Sequence, residues 1–162
     1  MQQAKQISLF ITTFLWGVMI GGIVYSHIVY FPPYLSHLPE SNSLITGEYG
    51  VQDKYFWETL HPLLILSTVV TLIINWKNQP LRKFILPAAS IYLSAIIATA
   101  LFFVPQLIAF ASNADSGEAS VASLYEQGQL WQRLSWIRGG FLSLGFVMLM
   151  ISLSKTESKN EN

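Results

Sequence analysis

The chain has 162 residues, of which 52% are apolar and only 11% charged, well below the roughly one quarter usual in a water-soluble domain. Nine Lys and Arg balance nine Asp and Glu, so no basic excess is available to hold nucleic acid. With no cysteine, disulfide, thiolate-zinc, iron–sulfur and thiol-nucleophile chemistry are excluded, and the apolar, charge-poor composition is that of a membrane protein.

In chain order, four apolar segments each approach the roughly 20 residues a helix needs to cross about 30 Å of hydrocarbon: about 7–30, 57–76, 84–110 and 134–153. The first lacks charge and is too long for a secretory leader, with no small-x-small pattern before His27, so it reads as an uncleaved span. The connection between the second and third is short and basic, while residues 112–128 (SNADSGEASVASLYEQG) read as a polar loop. Pro105 lies deep in the third segment and is expected to kink or end it. The predicted fold is all-α: an integral membrane, antiparallel four-helix bundle over residues 1–154, with a disordered cytoplasmic tail over 155–162.

Lys5, Lys77, Arg82, Lys83, Lys155 and Lys159 share the face of the termini, against Lys54, Arg133 and Arg138 opposite. By the positive-inside rule both termini are cytoplasmic, as in a bacterial inner-membrane protein. Small residues form two stripes, Gly17 and Gly21 with Gly22 beside them, and Ser135, Gly139 and Ser143. Such spacing packs helices within the bundle or makes a homo-oligomer interface.

This topology brings four distant stretches to the non-cytoplasmic end: YSHIVYFPP, FWETLHP, FFVPQ and LWQRLSWIR. They hold His27, Glu58, His61, Gln106, Trp131, Trp136 and Arg138 at a common depth, and the opposite half carries no comparable set. Glu58 and His61, three apart, lie on one helical face. On one reading they cap a helix start, with Lys54 pairing Glu58. On the other they point inward, where an ionisable group in lipid marks a site, and Arg138 is their counter-ion. His37, in the following loop, reads as a solvated side chain.

Glu58 and His61 have the Glu-x-x-His spacing of bundle metal ligands, and His27 supplies a third donor for a mononuclear metal. A dinuclear centre lacks its remaining carboxylates. Haem held by His27 and His61 is a further alternative, as is no cofactor at all.

Together these stretches resemble the anthrone-oxygenase-like family of four-span membrane proteins, over roughly residues 16–151. The resemblance rests on GVMIGGIVYSHIVYFPP, FWETLHP, FFVPQ and LWQRLSWIR. It implies oxidation of anthrone-like aromatics without a conventional organic cofactor, and it transfers no catalytic set. The site itself comes from the residues alone: there the flat phenolic or quinone-like substrate that the resemblance implies enters from lipid and stacks on Trp57, Trp131 or Trp136 near His27 and Gln106. It loses a proton to His61 or Glu58, and Arg138 stabilises the oxyanion. The tryptophans equally suit an interfacial belt. The competing function is a non-enzymatic accessory protein whose cavity holds a lipid or partner helix.

Overall fold

The computed structural model describes residues 2–117 and 119–157, and among these there is no β-strand. The first rod is α1 (Gln2–Tyr25), a π-helical turn (Ser26–Tyr30) and α2 (Phe31–Ser36). After a short 3-10 turn (Glu40–Asn42) and α3 (Ser43–Thr46), α4 (Lys54–Asn75) returns. The third rod is α5 (Gln79–Ala98), a second π turn (Thr99–Phe103) and α6 (Val104–Ser116), and α7 (Val121–Glu157) completes the fold.

Each π turn has the same local cause. Pro32 and Pro33, and later Pro105, have no amide proton to give the carbonyl four residues back, so the ladder shifts by one just ahead of them. The Phe31 amide donates to the Ser26 carbonyl and the Val104 amide to the Thr99 carbonyl, both across five residues. Regular α geometry thus gives way to a π turn just ahead of Pro105, and the rod continues beyond it as α6.

The four rods form a ring in the order α1, α4, α5, α7, each antiparallel to its neighbours. Trp16 is its hub: the ring is fully buried, Nε1 donates to Thr68 Oγ1 on α4 at 3.3 Å, and its centroid lies 5.5 Å from that of Tyr92 on α5. A Cβ on Gly145 of α7 would come within 2.6 Å of Trp16 Cζ3, so only glycine lets α7 approach this closely. Several small-residue stripe positions pack internally, whereas a Cβ on Gly21 would meet nothing within 4 Å. Gly17 faces Phe146, Gly22 lies under Phe56 and Trp57, Gly139 meets Ile23, and Ser135 is fully buried.

All four rods are long and apolar enough to cross a bilayer. Their outer faces expose Phe10, Phe14, Leu66, Ile73, Leu93 and Phe141, an arrangement suited to lipid rather than water. The half carrying the termini differs from expectation. It buries a hydroxyl and amide series, Thr12, Thr68, Thr71, Asn75, Ser152 and Thr156, with Thr12 and Thr71 hydroxyls 2.8 Å apart.

The helices also run past the expected segment ends. The 35 residues Gln2–Ser36 and 38 residues Gln79–Ser116 are longer than the roughly 20 residues that hydrocarbon thickness requires. Most of 112–128 is helical rather than loop. Gly117, at φ +68°, ends α6 in a left-handed cap and α7 begins four residues later. Polar composition hid these turns because a helix outside the bilayer needs no continuous apolar face. Residues 155–157 continue α7, and 158–162 of the expected tail lie outside the described residues.

The rod ends away from the termini build a second, distal apolar core from Tyr30, Phe31, Tyr34, Leu35, Leu38, Phe103, Phe110, Leu124 and Trp131. Asn42 ties the α2–α4 connection onto α6. Its Nδ2 donates to Asp115 Oδ1 at 2.6 Å and the Ala111 carbonyl at 3.1 Å, and its Oδ1 accepts from the Tyr34 hydroxyl at 3.3 Å.

Candidate functional site

Between the bundle core and this distal core lies a cavity of about 560 Å³. That volume falls within the roughly 300–1,000 Å³ of small-molecule sites. Bundle residues Met19, Ile23, Tyr92, Ala95 and Leu142 line one side, and Phe31, Phe103, Leu107 and Trp131 of the distal core line the other. Both π turns open onto it, the first through Ser26 and His27 and the second through Thr99 and Phe103. The start of α4 adds Trp57, Glu58, His61 and Pro62, with Asp53 and Lys54 just ahead.

His27 is a positioned group. Its Nδ1 lies 2.8 Å from the Ile23 carbonyl, which only accepts, so Nδ1 carries a proton. Nε2, 2.9 Å from Ser135 Oγ, is the acceptor in the neutral ring, with the Ser135 hydroxyl donating to it. Ser135 Oγ in turn accepts from Arg138 Nη2 at 3.0 Å. The π turn leaves the His27 carbonyl without a backbone donor, since Phe31 serves Ser26 and residue 32 is proline, and Gln132 Nε2 lies 3.5 Å from it.

Arg138 is half-buried. Nη1 donates to Thr99 Oγ1 at 2.6 Å, and the guanidinium carbon sits 4.0 Å from the Phe103 ring centroid. Nε is buried without a partner. The expected ion pair with Glu58 is not formed. Glu58 is exposed, where water solvates its carboxylate, and it pairs with neither Arg138 nor Lys54. The Lys54 ammonium instead lies 5.1 Å from the Tyr55 ring centroid.

His61 is half-buried between two aromatic rings. It stacks on Trp57 at 5.6 Å and 23°, and its Nδ1 lies 2.9 Å from the Tyr92 hydroxyl. That hydroxyl also lies 3.5 Å from the His61 carbonyl. Pro62 has no amide proton for the Glu58 carbonyl, so the first turns of α4 carry an acceptor that the helix does not satisfy. Trp57 Nε1 donates to Asp53 Oδ2 at 3.3 Å, and burial pushes the Asp53 carboxyl above its ordinary range, against the hydrogen bonds from Trp57 and the Lys54 amide.

The remaining expected residues divide. Trp131 is buried, donates from Nε1 to the Phe103 carbonyl at 3.0 Å and faces the cavity. Trp136 is 42% exposed and Gln106 half-buried, and neither lines the cavity. His37 is exposed, its Nδ1 3.1 Å from the Pro33 carbonyl. His27, Glu58 and His61 are not gathered as a ligand set, and no group of three or more His, Asp or Glu among the described residues is placed to hold a metal ion. For a metal or haem iron, His27 would first have to surrender its bond to Ser135.

Tyr92, Thr99 and Asp53 complete the lining without having been expected, and Ser135 emerges as a polar link rather than only a packing residue. Lone hydroxyls within the run SIYLSAIIATALFF were the available clue to Tyr92 and Thr99. Comparison with family models, curated proteins and solved structures gives no significant match to the chain.

Proposed function

We propose that the chain is an integral membrane protein, both termini cytoplasmic, that binds a small flat aromatic or quinone-like molecule in the distal cavity and oxidises it with dioxygen. The observation that carries this reading is His61, bonded to Tyr92 and stacked on Trp57 at the wall of a cavity it shares with Arg138. When Nδ1 donates to the Tyr92 oxygen and the Tyr92 hydroxyl turns to the His61 carbonyl, Nε2 is left as a base.

Nε2 removes a proton from an acidic CH₂ flanked by aromatic rings. The carbanion, its charge spread onto oxygen near Arg138, passes electrons to dioxygen. One oxygen atom ends on that carbon as a carbonyl, and the other leaves as water with the carbon's two hydrogens. The sequence resemblance to anthrone-oxygenase-like proteins agrees with this chemistry. Lys5, Lys77, Arg82, Lys83 and Lys155 at the terminal end support the orientation.

Oxygen uptake by the detergent-purified protein with anthrone as probe tests the reading. Uptake above the protein-free rate that falls in His61→Ala supports it, whereas uptake at the protein-free rate removes it. The commitment of both His27 nitrogens to protein partners favours a second reading, in which the cavity binds without chemistry. Saturable anthrone binding without oxygen uptake is its signature.

A further inference from the structure

We propose that the distal cavity takes its aromatic ligand as a preformed anion, a carboxylate or phenolate seated against Arg138. This rests on the cavity being a ligand site, and it goes further by fixing the ligand's charge in the resting complex rather than only during reaction.

The argument is one of charge and donor count. A guanidinium has five N–H donors, and Arg138 uses one on Thr99 and one on Ser135. Both acceptors are neutral hydroxyls, and the Phe103 face adds a third neutral contact. The Nε proton is buried with no acceptor. Among the described residues no carboxylate lies within ion-pair distance of this cation, although a charge held away from water is costly unless compensated.

The other charged lining groups do not supply that compensation. Asp53 and Glu58 stand at the start of α4 with Lys54 between them in sequence, and Asp53 is engaged by Trp57. Glu58 is exposed, so neither carboxylate meets the guanidinium of Arg138. His27 and His61 contribute no negative charge in any protonation state, and Tyr92 is engaged with His61. Arg138 is therefore a cavity cation whose protein partners are all neutral. A planar oxyanion fits a guanidinium fork, and Phe31, Phe103 and Trp131 supply flat apolar walls for an aromatic body.

Equilibrium dialysis of the full-length, detergent-purified protein at pH 7 tests this with 2-naphthoate and its neutral counterpart 2-naphthylmethanol. The carboxylate is expected to bind at least about tenfold more tightly, as charge-assisted hydrogen bonds require. Arg138→Gln should erase the preference while naphthylmethanol binding persists. Equal or tighter binding of naphthylmethanol by the unaltered protein overturns the inference and leaves the cavity as a site for neutral ligands. Binding of neither probe overturns the inference and the ligand site together. Preferred naphthoate binding without oxygen uptake on anthrone supports the inference while the catalytic reading falls.

Discussion

His61 Nδ1 and the Tyr92 hydroxyl oxygen lie 2.9 Å apart across the α4–α5 interface, joining an imidazole at a helix entrance to a phenol from the middle of an apolar run. Tyr92→Phe keeps the ring against Trp16 and removes only the hydroxyl bonded to His61 Nδ1. Anthrone-dependent oxygen uptake is expected to fall by on the order of tenfold in Tyr92→Phe. His61→Ala is expected to lose about 10²–10⁴-fold, the usual worth of a general base. A Tyr92→Phe rate equal to that of the unaltered protein would show that His61 needs no such orientation.

Replacing Gly145 tests the Trp16 hub. An added methyl at 2.6 Å from Cζ3 forces either the indole or α7 to move, so Gly145→Ala should destabilise the bundle by about 1–3 kcal/mol. Gly21→Ala is the matched control, since its Cβ would meet nothing within 4 Å. Unfolding in mixed micelles, followed by helical circular dichroism, separates the two. Equal loss in both would mean that glycine's contribution there is not steric.

The distal connection depends on Asn42, whose side chain makes three hydrogen bonds to two elements. Asn42→Ala leaves the Tyr34 hydroxyl and Asp115 without it, at a cost of about 1–3 kcal/mol. The expected signature is local: faster proteolytic cleavage between residues 38 and 53 with little change in overall helix content. Global unfolding instead would mean that the distal core and bundle fold as one inseparable unit.

Asp53 supplies a pH dependence with a definite sign. Its carboxyl holds its proton to higher pH in the folded chain than its ordinary value of 3.8, because ionisation in a buried place is opposed. The folded state thus binds more protons than the unfolded state above that value. The contribution of Asp53 is fully present below pH 3.8 and is lost as pH rises through the folded-state value. Relative to Asp53→Asn, which stays neutral, the unaltered protein should lose thermal stability over that rise. A constant difference in Tm between the two proteins across the window would refute this.

The four helices were legible because their apolar runs are long enough to cross hydrocarbon, and the shared depth of His27, Glu58, His61, Trp131 and Arg138 followed from up-and-down topology. Hydropathy does not report helix that lacks a continuous apolar run, so Val121 to Gly128 read as loop although Leu124 is buried. Nor does it report rotation about a helix axis. Glu58 and His61 share a face by spacing, yet Glu58 is exposed at the entrance while His61, one turn deeper, meets Tyr92. The partners of Arg138 were invisible for a related reason: Thr99 and Ser135 are ordinary small residues until a π turn and a neighbouring histidine bring them to it.

The five-residue turns at 26–30 and 99–103 also make chain length itself informative. Each accommodates one residue more than uninterrupted α geometry would, so deleting a residue within either returns the rod to α geometry, whereas deleting one just beyond, at 31–33 or 104–109, would swing everything after it by about 100°. Every apolar stretch would survive such a deletion. Tyr34 and Leu35, or Phe110, would nevertheless be aimed off the surfaces they now cover, leaving a hydropathy profile almost untouched above a dismantled canopy.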